Sequence, residues 1–104
     1  MNSDDYIQQK VILKGHIVVP DKDLRAVQEE LVNHERLTRA EAGCLVFEVT
    51  QSEANPNRFD VYEAFADREA FEQHQSRAKR SRWGEVSANV ERHYKILESV
   101  EKRS

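Results

Sequence analysis

The chain has 104 residues, of which 38% are hydrophobic and 34% are charged, and its formal net charge is −3. This length accommodates one domain, which we place at residues 1–104, with a core at about 10–100 and flexible tails at 1–9 and 101–104. Nucleic-acid binders usually carry a net positive charge, so we expect no nucleic-acid partner. The acidic N-terminus lacks a signal-peptide pattern, and no stretch approaches the roughly 20 apolar residues of a membrane span. We therefore predict a cytoplasmic protein with no membrane partner.

Nucleotide-binding loops, disulfides and metal clusters are not expected. Gly15, Gly43 and Gly84 lie too far apart for a glycine-rich phosphate loop. The single cysteine, Cys44, cannot form an internal disulfide, and we interpret it as a buried bystander because no neighbouring base favours it as a nucleophile. The histidines lack HxH and HxxxH spacing, which argues against a dedicated metal site. We predict that the protein uses no cofactor.

The first part of the chain predicts a strand followed by a helix. Apolar and polar residues alternate over 10–19, which is typical of a strand, and Pro20 ends the alternation. Asp21 or Asp23 is expected to cap the following helix, and Gly43 is expected to end that segment in the left-handed conformation. The predicted apolar stripe of this helix consists of Leu24, Val27, Leu31, His34 and Leu37.

The second part predicts a hairpin, another helix and a last strand. Residues 44–50 and 58–66 alternate and are joined by the turn sequence SEANPN, which favours an antiparallel hairpin. Asp67 is expected to cap a second helix that breaks near Trp83, and a strand follows at about 90–100. The order β-α-β-β-α-β predicts an α+β, ferredoxin-like fold with a four-stranded antiparallel sheet.

One face of this sheet is predicted to carry both apolar and polar side chains. Apolar groups on a face that no helix covers favour a contact with a second copy of the chain, so we expect a homodimer. The apolar members of the face are Ile12, Val18, Val46, Tyr62 and Ala64. The polar members are Lys14, His16, Glu48 and Asp60.

His74 and Glu63 are the candidate catalytic residues. His74 shares a helical stripe with Phe71, so its imidazole should point at the sheet, where it can accept and return a proton near neutral pH. A core histidine bonded to a carbonyl or carboxylate is the alternative. Glu63 lies in phase with the apolar residues of its strand, and a buried carboxylate needs a partner. That partner is either His74, whose imidazole Glu63 would orient as a base, or an arginine such as Arg39.

Further candidates concern the wall of a ligand pocket. His34 lies on the apolar stripe of the first helix, either across a pocket from His74 or in a capping contact at the helix end. Aromatic side chains suit a flat aromatic ligand, although they are also ordinary core residues. The aromatic candidates are Phe47, Phe65, Phe71 and Trp83.

A local basic run precedes Trp83. It is interpreted as a solvated helix face or as a pocket lip that attracts anionic or phenolate ligands. The run consists of Arg77, Lys79, Arg80 and Arg82.

Several stretches resemble the antibiotic-biosynthesis-monooxygenase family. These are TRAEAGCLVFEV at 38–49 and YEAFADREAFEQH at 62–74, with NPNRF between them and RW shortly after, and the resemblance spans roughly 10–100. It implies a dimeric α+β barrel in which the sheets of two ferredoxin-like units pack face to face. His74 matches the histidine of the family's second helix. The chain has Phe65 where the family often has Trp. It has Lys79 and Arg80 where a second His often occurs, and this second departure argues against a haem-degrading activity.

The resemblance implies a quinol-monooxygenase-like function. The implied protein is a small cofactor-independent monooxygenase that oxidises an aromatic quinol or polyphenol with O2, with His74 as base and Glu63 as its orienting partner. Its small-molecule partners are then an aromatic substrate and O2. Two alternatives remain open: a non-catalytic small-ligand-binding or stress-associated domain, and an isomerase of a carbonyl compound on the same fold.

Overall fold

The computed structural model describes residues 7–102 and confirms the predicted α+β fold with its β-α-β-β-α-β order. One antiparallel sheet has the strand order β2-β3-β1-β4. Within residues 7–102, no helix is long and apolar enough to cross a membrane. The elements are β1 (Ile7–Val18), α1 (Asp21–Arg39), β2 (Cys44–Gln51), β3 (Arg58–Phe65), α2 (Arg68–Arg80), the short α3 (Arg82–Val86) and β4 (Glu91–Lys102).

The first and last strands of the chain, β1 and β4, pair with each other over their whole length. The antiparallel register of β1 and β4 runs from Ile7 opposite Lys102 to Val18 opposite Glu91. The predicted tails at 1–9 and 101–104 therefore overlap this pairing at 7–9 and 101–102. The remainder of both tails, 1–6 and 103–104, lies outside the described residues.

The helix starts follow the predicted capping only in part. Asp67 caps α2 as predicted, because its Oδ1 accepts a hydrogen bond from the backbone N–H of Ala70 at 2.8 Å. The predicted aspartate cap of α1 is wrong, since the N-cap position is Pro20, without a side-chain cap bond. Asp21 is instead the first residue of the helix, and its carboxylate accepts a hydrogen bond from the Asn57 side chain at 2.7 Å. It still favours the helix through the positive end of the helix dipole.

Gly43 is required for a close approach rather than for a left-handed turn. Positive φ among the non-terminal described residues occurs at Gly15, not at Gly43, so that prediction is wrong. A Cβ at Gly43 would instead overlap the Cβ of Ala70 on α2. The missing side chain therefore allows α2 to pack directly against the loop between α1 and β2.

The helices cover one face of the sheet, and the core lies between them. The buried stripe of α1 includes His34 and ends at Thr38 rather than at the predicted Leu37, because Thr38 is fully buried and Leu37 is only half-buried. The predicted helix break falls at Ser81, and Trp83 belongs to α3. The core cluster consists of Val11, Leu13, Ile17, Val19, Val27, Leu31, Phe59, Val61, Phe65, Phe71 and Val90.

The opposite face of the sheet carries the predicted mixture of side chains. The strand register puts Val46, Ala64, Ile12 and Leu97 in one continuous row across the four strands. Leu97 is 43% exposed and the neighbouring Tyr62 is 39% exposed, so a substantial apolar area of this face meets solvent. The homodimer and the cytoplasmic location both stay predictions at this point.

Candidate active site

A cavity of about 510 Å³ lies between the helices and the sheet. Two helices and two strands supply its functional side chains: α1 contributes His34, α2 contributes His74, β3 contributes Glu63 and β4 contributes Tyr94. His34, His74 and Glu63 are all buried. The structure therefore brings together both candidate catalytic residues and two of the predicted wall residues, His34 and Trp83.

His74 is held by a carboxylate that the sequence patterns did not single out. Its Nδ1 lies 2.9 Å from Oε1 of Glu41, in the loop after α1. Because a carboxylate only accepts hydrogen bonds, Nδ1 carries the proton and Nε2 is left as the basic nitrogen of the neutral ring. Burial lowers the pKa of His74 below its usual value, against the opposing effect of Glu41, so the neutral ring prevails at neutral pH.

Glu41 is itself fixed by two residues behind it. Arg77 donates from Nε to Oε2 of Glu41 at 2.6 Å and from Nη2 to the Thr38 hydroxyl at 3.0 Å. Thr38 is fully buried, while Glu41 and Arg77 keep 21% and 29% of their side-chain exposure. The chain Thr38–Arg77–Glu41–His74 therefore sets the orientation and the protonated nitrogen of the imidazole.

Glu63 faces the opposite nitrogen of the same ring. Its Oε1 lies 3.6 Å from Nε2 of His74, which is longer than a hydrogen bond. Burial, with a smaller contribution from the charge of Glu41, raises the pKa of Glu63 to about 7. The orienting role predicted for Glu63 thus falls to Glu41, and Glu63 is instead a carboxyl that is about half protonated at pH 7.

The arginine alternative for Glu63 does not hold. Arg39 donates from Nε and Nη2 to the backbone carbonyl of Phe47, at 3.2 and 2.8 Å, and pairs with Glu35 at 3.0 Å. The two bonds to Phe47 tie α1 to β2. No bond from Arg39 to Glu63 is present among the described residues.

His34 is a second neutral imidazole on the cavity wall. Burial lowers its pKa to about 3, and electrostatic interactions with His74 and Arg77 act in the same direction. The ring stacks on Trp83 with centroids 4.6 Å apart and an interplanar angle of 5°. Its Nδ1 is buried without a hydrogen-bond partner within the described part of the chain, so the capping contact considered for it is not made. A buried nitrogen of this kind has the capacity to bind a ligand oxygen or a water.

The predicted aromatic wall divides into two groups. Trp83 lines the cavity, as predicted. Phe65 and Phe47 lie beside the imidazole of His74, with ring centroids 4.9 and 6.0 Å away, and hold it in place rather than line the cavity. Phe71 packs against Phe65 at 5.7 Å and belongs to the core.

Several site residues escaped the sequence patterns. No periodic pattern in the sequence indicates that Glu41 or Thr38 belongs to the site. Arg77 was grouped with a basic run, but it lies one turn after His74, so both side chains are on one side of α2. Tyr94 lies opposite Gly15 in the register and borders the cavity, and burial raises its pKa to about 12. Cys44 is half-buried, and burial raises the pKa of its thiol, as expected of an unreactive bystander.

Comparison with known proteins gives the family of this fold and site. The sequence model of the antibiotic biosynthesis monooxygenase family matches residues 11–86, which is most of the chain. The chain belongs to that family. Among curated proteins, the comparison finds no match.

Solved structures with the same fold come from several bacteria. A candidate antibiotic biosynthesis monooxygenase from Nitrosomonas europaea is similar at 23% identity with a TM-score of 0.68, covering 88% of this chain and 95% of its own. A protein from Pseudomonas aeruginosa is similar at 24% identity and a TM-score of 0.68, covering 93% and 96%. A protein from Shewanella oneidensis is similar at 25% identity and a TM-score of 0.65, covering 89% and 92%.

The raised pKa of Glu63 predicts a pH-dependent cost in stability. A carboxyl with a pKa of about 7 when folded and 4.5 when unfolded opposes folding increasingly as the pH rises from 4.5 to 7, and fully above 7. The variant Glu63→Gln should therefore gain stability relative to the wild type over this range, by up to about 3 kcal/mol at pH 8. Urea unfolding at pH 4.5, 6 and 8 measures the difference, in which the contributions of His34 and His74 largely cancel.

The matched control for this measurement is Glu69→Gln, which changes an exposed carboxylate on α2. Its effect on the free energy of unfolding should stay near zero at all three pH values. A Glu63→Gln effect that is equally independent of pH would contradict the buried, easily protonated state assigned to Glu63.

Proposed function

We propose that this protein is a small cofactor-independent monooxygenase that oxidises an aromatic quinol or polyphenol with O2. One observation carries the proposal: the unprotonated Nε2 of His74 and the carboxyl of Glu63 lie 3.6 Å apart on the wall of one cavity. Two groups at this separation can both contact a single phenolic oxygen. Membership of the antibiotic biosynthesis monooxygenase family supports the same reaction class.

His74 acts as the base in the proposed reaction. Its Nε2 takes the phenolic proton, and the positive charge that forms on the ring is stabilised by Glu41 at Nδ1. Arg77 and Thr38 keep Glu41 in place while this happens. The deprotonated quinol is electron-rich enough to reduce O2, which removes the need for an additional redox group.

Glu63 stabilises the oxygen from which the proton has left. In its protonated form, a carboxyl beside Nε2 can donate a hydrogen bond to the developing phenolate, and a pKa of about 7 keeps a large share of it protonated at neutral pH. On the opposite side, Trp83 offers an aromatic wall, and His34 carries the buried nitrogen that lacks a partner within the described residues.

The oxygen atoms balance in a monooxygenation. The ring carbanion adds to O2, the hydroperoxide that forms loses one oxygen as water with two hydrogens of the substrate, and the other oxygen stays on the ring. The proton held by His74 returns to the departing oxygen. The reaction therefore consumes O2 without releasing hydrogen peroxide, whereas autoxidation of a quinol to a quinone does release it.

Oxygen uptake tests this function directly. The purified protein with a panel of quinols should consume O2 well above the protein-free rate, and added catalase should return no O2. The variant His74→Gln should lower kcat by about 10²–10⁴-fold, as expected for loss of a general base. Glu69→Gln changes an exposed residue of the same helix outside the cavity lining and should leave kcat unchanged.

Two outcomes would overturn the proposal. One is the absence of excess O2 consumption across the whole panel, and the other is a His74→Gln variant with the wild-type rate. Turnover of a carbonyl compound without O2 would favour the isomerase alternative, and ligand binding without turnover would favour a binding domain.

We also propose that the chain forms a homodimer through the open face of its sheet. The row Val46, Ala64, Ile12 and Leu97 supplies the apolar centre of that contact. Light scattering should give about twice the chain mass of 12.1 kDa for the wild type.

A charge in the row should dissociate this dimer. Leu97→Lys should give the monomer mass, whereas Val32→Lys, at a residue of α1 that is 72% exposed, should leave the dimer intact. A wild-type monomer at micromolar concentration, or a Leu97→Lys variant that remains dimeric, would contradict the proposed interface.

A further inference from the structure

The cavity differs in charge between its buried end and its mouth. Glu63, His74 and His34 form the buried end, and Glu63 supplies the one carboxylate among the described lining residues. Lys79 at the end of α2 and Arg92 on β4 also line the cavity, and both are exposed. The mouth is therefore cationic, while the acid–base pair lies inside.

Lys79 has no ion-pair partner within the part of the chain that the structure describes. Arg77, which is also on α2, is by contrast paired with Glu41. An ammonium at the rim of a partly apolar cavity raises the local concentration of anions. Its position thus favours a ligand that brings its own negative charge.

Arg92 is fixed at the same mouth. Its Nη2 donates to the backbone carbonyl of Ser87 at 3.3 Å and to the Ser87 hydroxyl at 3.1 Å, and Ser87 is fully buried. A guanidinium has five N–H donors in a rigid plane, so this anchoring leaves donors for a ligand carboxylate. A pre-positioned arginine binds a carboxylate at a lower entropic cost than a free one.

We propose that the substrate is a phenol with an acidic substituent, bound with its hydroxyl between His74 and Glu63 and its carboxylate at Lys79 and Arg92. The inference rests on the proposed function only in taking this cavity as the substrate site. It sets the direction of binding: the neutral hydroxyl end of the ligand, which gives up its proton to His74, enters first, and the charged end stays at the solvent-exposed mouth. Neutral quinols of the same shape then bind more weakly.

Binding of a redox-inert pair of phenols tests this specificity without any turnover. The probes are 4-hydroxybenzoate and 4-hydroxybenzamide, which share their shape and differ in charge. The chain has one tryptophan, and Trp83 lines the cavity, so its fluorescence reports binding, with calorimetry as a second readout. The acid should bind about tenfold more tightly than the amide at low salt, and this preference should shrink as salt is added.

Variants at the mouth locate the source of the preference. Lys79→Gln and Arg92→Gln should each reduce the preference for the acid while leaving the affinity for the amide close to the wild-type value. Lys22→Gln, which changes an exposed lysine in the first turn of α1 outside the cavity lining, should retain the full preference.

Any other result of these binding experiments overturns the inference. Equal affinity for the two phenols, a preference that persists in both mouth variants, or binding of neither phenol would all contradict a cationic selection site. Such a result would leave the oxygen-uptake experiment unaffected, because that experiment measures turnover of quinols and not the binding of these two phenols. Failure of the inference and failure of the proposed function are therefore distinguishable.

Discussion

The hydrogen bond between Glu41 and His74 is the interaction on which the rest of the site depends. A buried imidazole with an unspecified tautomer can present either a donor or an acceptor to the cavity. The 2.9 Å contact at Nδ1 removes this ambiguity, so Nε2 faces Glu63 as an acceptor. Arg77 pairs with the other carboxylate oxygen of Glu41 at 2.6 Å and so fixes its position.

The fold brings these groups together through one close approach. Glu41 lies in the loop between α1 and β2, whereas His74 lies on α2. The two are joined because Gly43 has no side chain to hold α2 away at Ala70. The backbone carbonyl of Gly43 also accepts a hydrogen bond from the N–H of Ala66 at 2.8 Å, just before α2 begins. The absence of a side chain at Gly43 therefore helps to place the His74 imidazole within hydrogen-bond distance of Glu41.

Burial then separates the proton affinities of the ionisable groups. Glu63 has a raised pKa of about 7, while those of His34 and His74 are lowered. Burial thus favours a protonated Glu63 and a neutral His74 beside the same cavity, which is the pair of proton donor and proton acceptor that the proposed reaction uses.

The order of strands and helices and the inward-facing positions of His74 and Glu63 could be predicted from the sequence, because each depends on local periodicity. His74 lies on a helical stripe, and Glu63 lies in phase with apolar residues of a strand, so both were expected to face inward. Glu41 was not predictable in this way, since it lies in a loop and meets a residue 33 positions away. The predicted cap of α1 fails for a different reason: the helix already begins at Asp21, so the N-cap position is Pro20, which has no side-chain acceptor.

The state of the His74 ring is the central claim, and ¹⁵N NMR of the imidazole nitrogens measures it most directly. In the wild type at pH 7, the protonated nitrogen should be Nδ1, and the titration should give a pKa below the usual histidine value. In Glu41→Gln, the pKa should fall further, because Glu41 raises it through its charge and its hydrogen bond. A ring protonated at Nε2, or a pKa unchanged by the substitution, would contradict the assignment of Nε2 as the base.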